Sequence, residues 1–434
     1  MLASCGEDDD PVADGDACAV SADCQGTGGA GGTGASGGQG GDAPGCKPDQ
    51  LAFEFQSFDL SDAEGATDFA FLPNESGDFL ITAREGKVYL GSLVGDTLEV
   101  STSWDVPDTV YDHEACGLTN LLLDPEFSDN GFVYVSYCTS PTNTRLVRYT
   151  WSEEDGLTDQ AVIYETNLTK KTDEWHRFGS MGFEADGETL WMLVGDHFNA
   201  DNGQTLSDPY GALIRILPNR EVGGSGHEIP DGNMQSPEPD EEGMGGLGGG
   251  TAVEEVSPEV FAYGLRSPWR GTRDSLGRVF IADVGNTKYE EINLATEAGQ
   301  NFGWSVKEGP CTGSCDGFTD PIAYFGRTTD DAYLLDDPDA NPATKRAIWL
   351  GDIYENPPVD RYCGLMNGVV AFGDLFAGFV RGIKVDAEGE VTYDEQLGHL
   401  GNVTSWRTGS DGYAYALTLD GKLHRVLLVE PAAE

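Results

Sequence analysis

Positive charge is scarce in this chain. Lys and Arg together number 25 against 75 Asp and Glu among 434 residues, a formal net charge of −50. A surface of that sign repels phosphate backbones and anionic headgroups alike, so nucleic acid is excluded as a partner. The plain reading of the excess is a solvated, self-repelling surface suited to salty or cation-rich surroundings. Histidine is rarer still, with six residues, so any imidazole chemistry has few places to sit. No stretch is apolar over the ~18 residues a membrane span needs. No cysteine pair has zinc-finger spacing with a histidine partner, which sets a metal thiolate aside. Periodic helical segments are nearly missing, and that argues against a layer of packed helices.

What is abundant is glycine, with 59 residues, much of it in two places. Residues 1–48 contain "CQGTGGAGGTGASGGQGGDAPGC", which has nothing to bury and predicts a disordered, flexible tether. Within it "MLASCGEDDD" resembles the end of a bacterial lipoprotein signal, in which the cysteine becomes the lipidated residue. On that reading Cys5 is the only membrane attachment, and the protein is exported, facing the periplasm or the cell surface. Eight further cysteines in an exported chain suggest disulfides. The second glycine-rich stretch, "NMQSPEPDEEGMGGLGGGTAVEEVSPEV", predicts a disordered insert near residues 233–252, a long exposed loop within one domain.

Between these stretches one pattern recurs: an apolar strand, a turn with Gly beside Asp, Asn or Ser, and a second strand rich in Val, Tyr, Phe and Leu. "NESGDFLITAREGKVYLGSL", "PEFSDNGFVYVSYC", "EADGETLWMLVGD", "DSLGRVFIADVG" and "GSDGYAYALTLDGKLHRVLL" are all hairpin signals. The first three lie roughly 55 residues apart, and about 380 residues divided by six leaves a little over 60 per unit, which suits four-stranded blades around an axis. The expected fold is therefore all-β, a six-bladed β-propeller over residues 49–430. A pair of β-sandwiches is the rival, but no linker falls at a suitable midpoint. Cys116 and Cys138 flank two strand-like runs in a register that would join them as a disulfide.

Three ordered stretches then make a family recognisable. "GLTNLLLDPEFSDNGFVYVSY", "GFEADGETLWMLVGD" and "FAYGLRSPWRGTRDSLGRVFIADVGNTKYEEINLATEAGQNFGWSVKEG" resemble the soluble quinoprotein glucose/sorbosone dehydrogenase family. The last stretch is most similar to the branch shared with Hedgehog-interacting proteins. The resemblance covers roughly residues 50–430 and implies a six-bladed propeller, as the repeat count does independently. It also implies pyrroloquinoline quinone (PQQ) over the propeller axis with a calcium ion, and oxidation of an aldose or related sugar by hydride transfer to the quinone. The electron acceptor is unknown, and the chain is expected to be a monomer or homodimer.

The resemblance assigns roles residue by residue. His176 falls where the family places the base that takes the sugar's anomeric proton, a task that suits a neutral imidazole. Asp196 matches the carboxylate that orients this base. Arg266, in "GLRSP", matches an arginine that holds the cofactor through its fork of donors. Gly285 and Asn286 fall where backbone carbonyls hold the cofactor's calcium, and Glu291 matches a carboxylate of a second calcium site. Gln204 matches a polar residue of the pocket wall.

The pattern also departs from the family's. Phe178 replaces a glycine after the histidine, Ser267 replaces an asparagine after Arg266, and Ala115 stands where a polar side chain is usual, with His113 and Glu114 close by. The remaining quinone-gripping basic residues have no motif, and Lys345, Arg361, Arg381 and Arg407 are the candidates. Each assigned residue has a plainer reading: a loop histidine beside a strand, an arginine pinning one blade to another, an ordinary strand-ending turn. Trp269, Trp304 and Trp406 are expected to pack between blades rather than stack on a quinone. These departures keep a second function in view, a non-catalytic propeller that binds a partner at the cell surface and has lost the quinone.

Overall fold

The computed structural model describes residues 52–429 apart from 61–62, 75, 169–173, 237–254, 314 and 343. The glycine-rich tether and most of the insert expected at 233–252 lie outside these residues. The start of that insert departs from the expectation: Asn233 is buried, and its amide donates to the carbonyls of Arg215 and Pro258.

Six antiparallel sheets follow one another along the chain. Their first strands are Ala66–Phe71, Leu118–Leu123, Phe178–Phe183, Pro268–Arg273, Ile348–Ile353 and Val403–Thr408. Each packs on the first strand of the next sheet, and the sixth returns to the first, so the six form a closed ring. The fold is the six-bladed propeller that the hairpin recurrence predicted. Second strands such as Asp78–Ala83, Leu190–Val194 and Ala414–Thr418 are buried on both faces, Asp78 alone being half-buried, because each blade lies between two others. That explains why they read as unbroken apolar runs. An outermost strand such as Thr97–Asp105 alternates exposed and half-buried residues, since one of its faces meets water.

The ring is closed by a strand from the wrong end of the chain. Ala52–Asp59 precedes the first blade, yet pairs along its whole length with Lys422–Val429 as the outer strand of the sixth. His424 fastens this junction, with Nδ1 2.9 Å from Ser57 Oγ and Nε2 3.1 Å from Thr418 Oγ1. Between the fifth and sixth blades Trp349 and Trp406 stack with ring centres 5.8 Å apart, the inter-blade packing expected of Trp406.

A charged plug ties the blades together at the axis. Arg270, on the fourth blade, donates to Thr404 O at 2.7 Å, Thr67 O at 2.6 Å and Asn120 Oδ1 at 2.8 Å. Arg407, on the sixth, grips both oxygens of Asp68 at 3.1 Å and reaches Asp352 at 3.3 Å. Burial pushes the Asp68 carboxyl up, but Arg407 and Arg270 together hold it below its ordinary range. Asn120 completes the circuit by donating to Phe178 O on the third blade at 3.4 Å.

Cys116 and Cys138 form the expected disulfide, with Cα atoms 5.4 Å apart. Cys311 and Cys315 form another, and Cys363 is also disulfide-bonded.

Candidate functional site

His176 leads into the first strand of the third blade and Asp196 follows the second strand, so the hairpin returns them to the same end. Their approach needs a residue without a side chain: a Cβ on Gly195 would lie 2.3 Å from the His176 carbonyl oxygen. At Gly179 a Cβ would lie 2.1 Å from Pro268 O of the fourth blade, which gives that glycine of the family pattern a physical reason.

The two side chains meet in a buried pair, with His176 Nδ1 2.6 Å from Asp196 Oδ1. A carboxylate can only accept, so this contact places the ring proton on Nδ1 and leaves Nε2 as the basic nitrogen. Burial pushes the His176 pKa below its ordinary value; Asp196 pulls the other way and the nearby Arg266 adds to the decrease, so the ring is neutral near pH 7.

Asp196 fixes more than the histidine. Its Oδ2 accepts the Trp304 indole N–H at 2.8 Å, and Oδ1 also accepts the backbone N–H of Phe198 at 2.8 Å. Its own backbone N–H donates to Arg266 O at 2.8 Å, joining the third blade to the start of the fourth. The Arg266 guanidinium lies over the Trp304 ring at 5.5 Å. His176, Asp196, Arg266 and Trp304 thus form one connected cluster. Trp304 is more than the inter-blade packing residue expected of it.

The calcium residues are arranged for other work. Gly285 O accepts Arg266 Nη1 at 2.7 Å and Arg327 Nη1 at 3.1 Å, so two guanidiniums stand where a cation would bind. Arg327 also pairs with Glu290. Burial, and then the charge of Arg266, lower the Arg327 pKa to about 10, which leaves it charged at neutral pH. Asn286 is exposed, and its backbone N–H donates to Glu308 Oε1 at 2.7 Å. Glu291 is buried, held by Gly309 N–H and by Asn293 Nδ2. Opposite it in the sheet lies Asp283, whose pKa burial, and then Glu291, raise to about 8. Among the described residues no three His, Cys, Asp or Glu side chains gather as a metal site. The Gly285 turn does not fit a calcium ion, because a cation there would displace two positive groups.

Gln204 is a buttress. Its Nε2 donates to Asn301 Oδ1 at 3.0 Å and Trp304 O at 2.6 Å, while its Oε1 accepts from Asn301 at 2.9 Å, so it steadies the loop bearing Trp304. Phe178 turns away from the cluster and packs against Tyr164 in the core between the second and third blades. Of the basic candidates, Arg407 belongs to the axial plug, Arg381 pairs with Asp394 at 2.8 Å, and Arg361 donates to Asp411 O at 2.8 Å. Lys345 lies over the Phe376 ring. Arg327 is the basic residue that sequence reasoning missed. Nothing in "YFGRTTD" sets it apart, and its partner lies far away in the chain.

Trp304 also borders a cleft of about 710 Å³, lined with it by Ala200, Asn286, Lys288, Lys307 and Glu308; His176, Asp196, Arg266 and Arg327 lie outside that lining. That volume suits a small-molecule site, typically about 300–1,000 Å³.

A propeller that holds a buried His–Asp pair and two converging arginines beside a cleft has defined relatives. Residues 64–237 match the family model described as Glucose / Sorbosone dehydrogenase. An uncharacterized protein of Synechocystis sp. is 26% identical over 378 residues, which cover 80% of each chain. HIPL2 protein of Arabidopsis thaliana is 25% identical over 305 residues, covering 58% of this chain and 42% of the plant protein, less than half its length. The PQQ-bound aldose sugar dehydrogenase of Streptomyces coelicolor superposes with a TM-score of 0.62 at 19% identity, over 88% of this chain and 100% of that one. The apo form of the soluble aldose sugar dehydrogenase of Escherichia coli gives 0.63 at 21%, over 87% and 100%. These two structures share the fold. The likeness to the glucose/sorbosone dehydrogenase family covers residues 64–237, and the propeller fold is shared with these dehydrogenases along the rest of the chain.

Proposed function

We propose that the protein oxidises an aldose or related sugar, with PQQ as the hydride acceptor. The observation that carries this reading is the buried His176–Asp196 pair, joined through Trp304 to Arg266 and to the edge of the cleft. PQQ is a flat tricarboxylate, and the buried Arg266 and half-buried Arg327 are the residues suited to hold it: fixed planar donors, close together. Bound there, the quinone supplies a two-electron sink. The chain's own part is proton transfer. His176 Nε2 takes the proton of the sugar's anomeric hydroxyl, and Asp196 holds the ring in the required tautomer and stabilises the imidazolium that results. Export, the Cys5 lipid anchor and the separate electron acceptor belong to the same proposal.

Calcium is the part of the family's chemistry that the Gly285 turn does not support. That engaged carbonyl favours the second reading, a propeller that binds a partner without a quinone. One titration separates the two. Added PQQ should bind stoichiometrically with a new absorbance band, in calcium or in chelator alike, and turnover of aldoses should follow. No band under either condition removes the dehydrogenase reading; a band only with calcium refutes the account of Gly285.

A further inference from the structure

Phe198 sits where it is costly to keep a phenylalanine. The residue is 45% exposed, while its backbone is in the left-handed region at φ +59°, directly after His197 at +53°. His176 is left-handed too, at +56°. A non-glycine residue there costs of order 1 kcal/mol, and runs of them persist where the surroundings impose them. The imposing groups are visible. Asp196 Oδ1 holds the Phe198 N–H at 2.8 Å while it orients His176, and Asp196 O accepts Asn199 N–H at 3.1 Å and Asn202 Nδ2 at 2.9 Å. The fully buried His197 ring, 2.6 Å from Arg177 Nη1 and 4.6 Å from the Tyr210 ring centre, anchors the turn so that Phe198 faces out.

Single exposed apolar side chains are ordinary and carry no argument by themselves. Here one carboxylate sets the position of the exposed ring, of the imidazole and of the Trp304 indole. The Phe198 ring centre lies 5.2 Å from that of His176, and Ala200, two residues on, already lines the cleft.

We infer that Phe198 is a sugar-positioning residue, whose flat face receives the C–H face of an aldopyranose and so holds its anomeric hydroxyl at His176 Nε2. The inference rests on the sugar-oxidation reading. A pyranose with equatorial hydroxyls presents axial C–H bonds on both faces, whereas an axial hydroxyl at C4 blocks one of the two, so an aromatic ring that receives that face tells the epimers apart.

The test compares Phe198→Ala, Phe198→Leu, Phe198→Tyr and Phe198→Trp in PQQ-loaded protein with a small-molecule electron acceptor. An all-equatorial aldohexose and its axial C4 epimer serve as substrates, and saturation-transfer NMR reads the sugar C–H protons. For the equatorial sugar, Ala and Leu should raise KM about 3- to 10-fold, the value of one aromatic contact. They should leave kcat within about twofold, as loss of uniform binding does, and they should weaken saturation transfer and narrow the preference over the epimer. Tyr and Trp should restore all three. The inference is overturned if Ala leaves the sugar KM unchanged, if Leu restores binding as well as Tyr, or if the change falls on the acceptor's KM instead. A wild type with no saturable sugar response removes the parent reading and this inference together; a wild type that turns over beside an unaffected Ala variant removes the inference alone.

Discussion

Arg270 at the axis and Arg266 at the candidate site lie four residues apart, yet the surroundings of the two guanidiniums differ in kind. Arg270 donates to residues of three other blades and sits beside Asp68, which Arg407 holds from a second side. Arg266 is opposed by another guanidinium across one carbonyl oxygen, beside an imidazole kept neutral and an exposed ring held in a strained turn. In the first cluster guanidiniums bind carbonyls and a carboxylate of several blades; in the second two guanidiniums share one carbonyl, with Glu290 beside Arg327, and left-handed backbone gathers close by. Interactions of the first sort stabilise a fold, and those of the second persist at sites that act on a ligand.

The sharpest way to break the contrast is His176→Gln. It should lower turnover of PQQ-loaded protein by about 10²- to 10⁴-fold, the usual loss with a general base, while the Tm stays close to wild type. Steady-state kinetics beside a thermal melt check both halves, and a large drop in Tm would place His176 among the structural groups. Arg270→Met should do the reverse. It removes the link between blades and leaves Asp68 partly uncompensated, a loss of about 3–5 kcal/mol for a broken buried pair, read as a lower midpoint in urea.

Arg266→Lys tests whether the guanidiniums serve a ligand. A point charge cannot reproduce a planar fork, so PQQ affinity should fall about tenfold with little change in melting. Equal affinity in isothermal titration would reduce Arg266 to a strut between blades.

The smallest effect concerns the closing strand. Burial lowers the His424 pKa to about 4, against about 6.5 in an unfolded chain. Between those values the unfolded state binds more protons, so the contribution of neutral His424 is complete above pH 6.5 and is lost as pH falls toward 4. Relative to wild type, His424→Gln should melt a few degrees lower at pH 7.5, with the gap narrowing toward pH 4.5. A gap that widens on acidification contradicts the assignment.

Local signals account for what the sequence disclosed. Each hairpin announces itself within about 20 residues through strand and turn chemistry, so the blades, their number and the Cys116–Cys138 pairing were legible. His176 and Asp196 were legible through the resemblance to the family's motif, and one hairpin then delivers both to the same end of the blade. The axial plug was not, since Asp68, Arg270 and Arg407 come from three separate blades and no pattern of neighbouring residues marks them. Arg327 was hidden for the same reason. The Gly285 turn misled differently: its backbone matches the family's pattern, while the identity of whatever meets its carbonyl depends on arginines supplied from elsewhere. Asn233 shows the converse error, a polar residue inside a glycine-rich stretch that the fold uses to satisfy buried carbonyls.

The closing strand has a mechanical consequence. Tension transmitted from the chain before Ala52 enters the domain at the outer edge of the sixth blade, and the Ala52–Asp59 ladder against Lys422–Val429 bears it first. The first strand of the sixth blade, which carries Arg407 of the plug, lies three strands inward from that edge. A pull on the leading segment therefore peels the rim before it loads the axis, and the strand that completes the ring also acts as its strain relief.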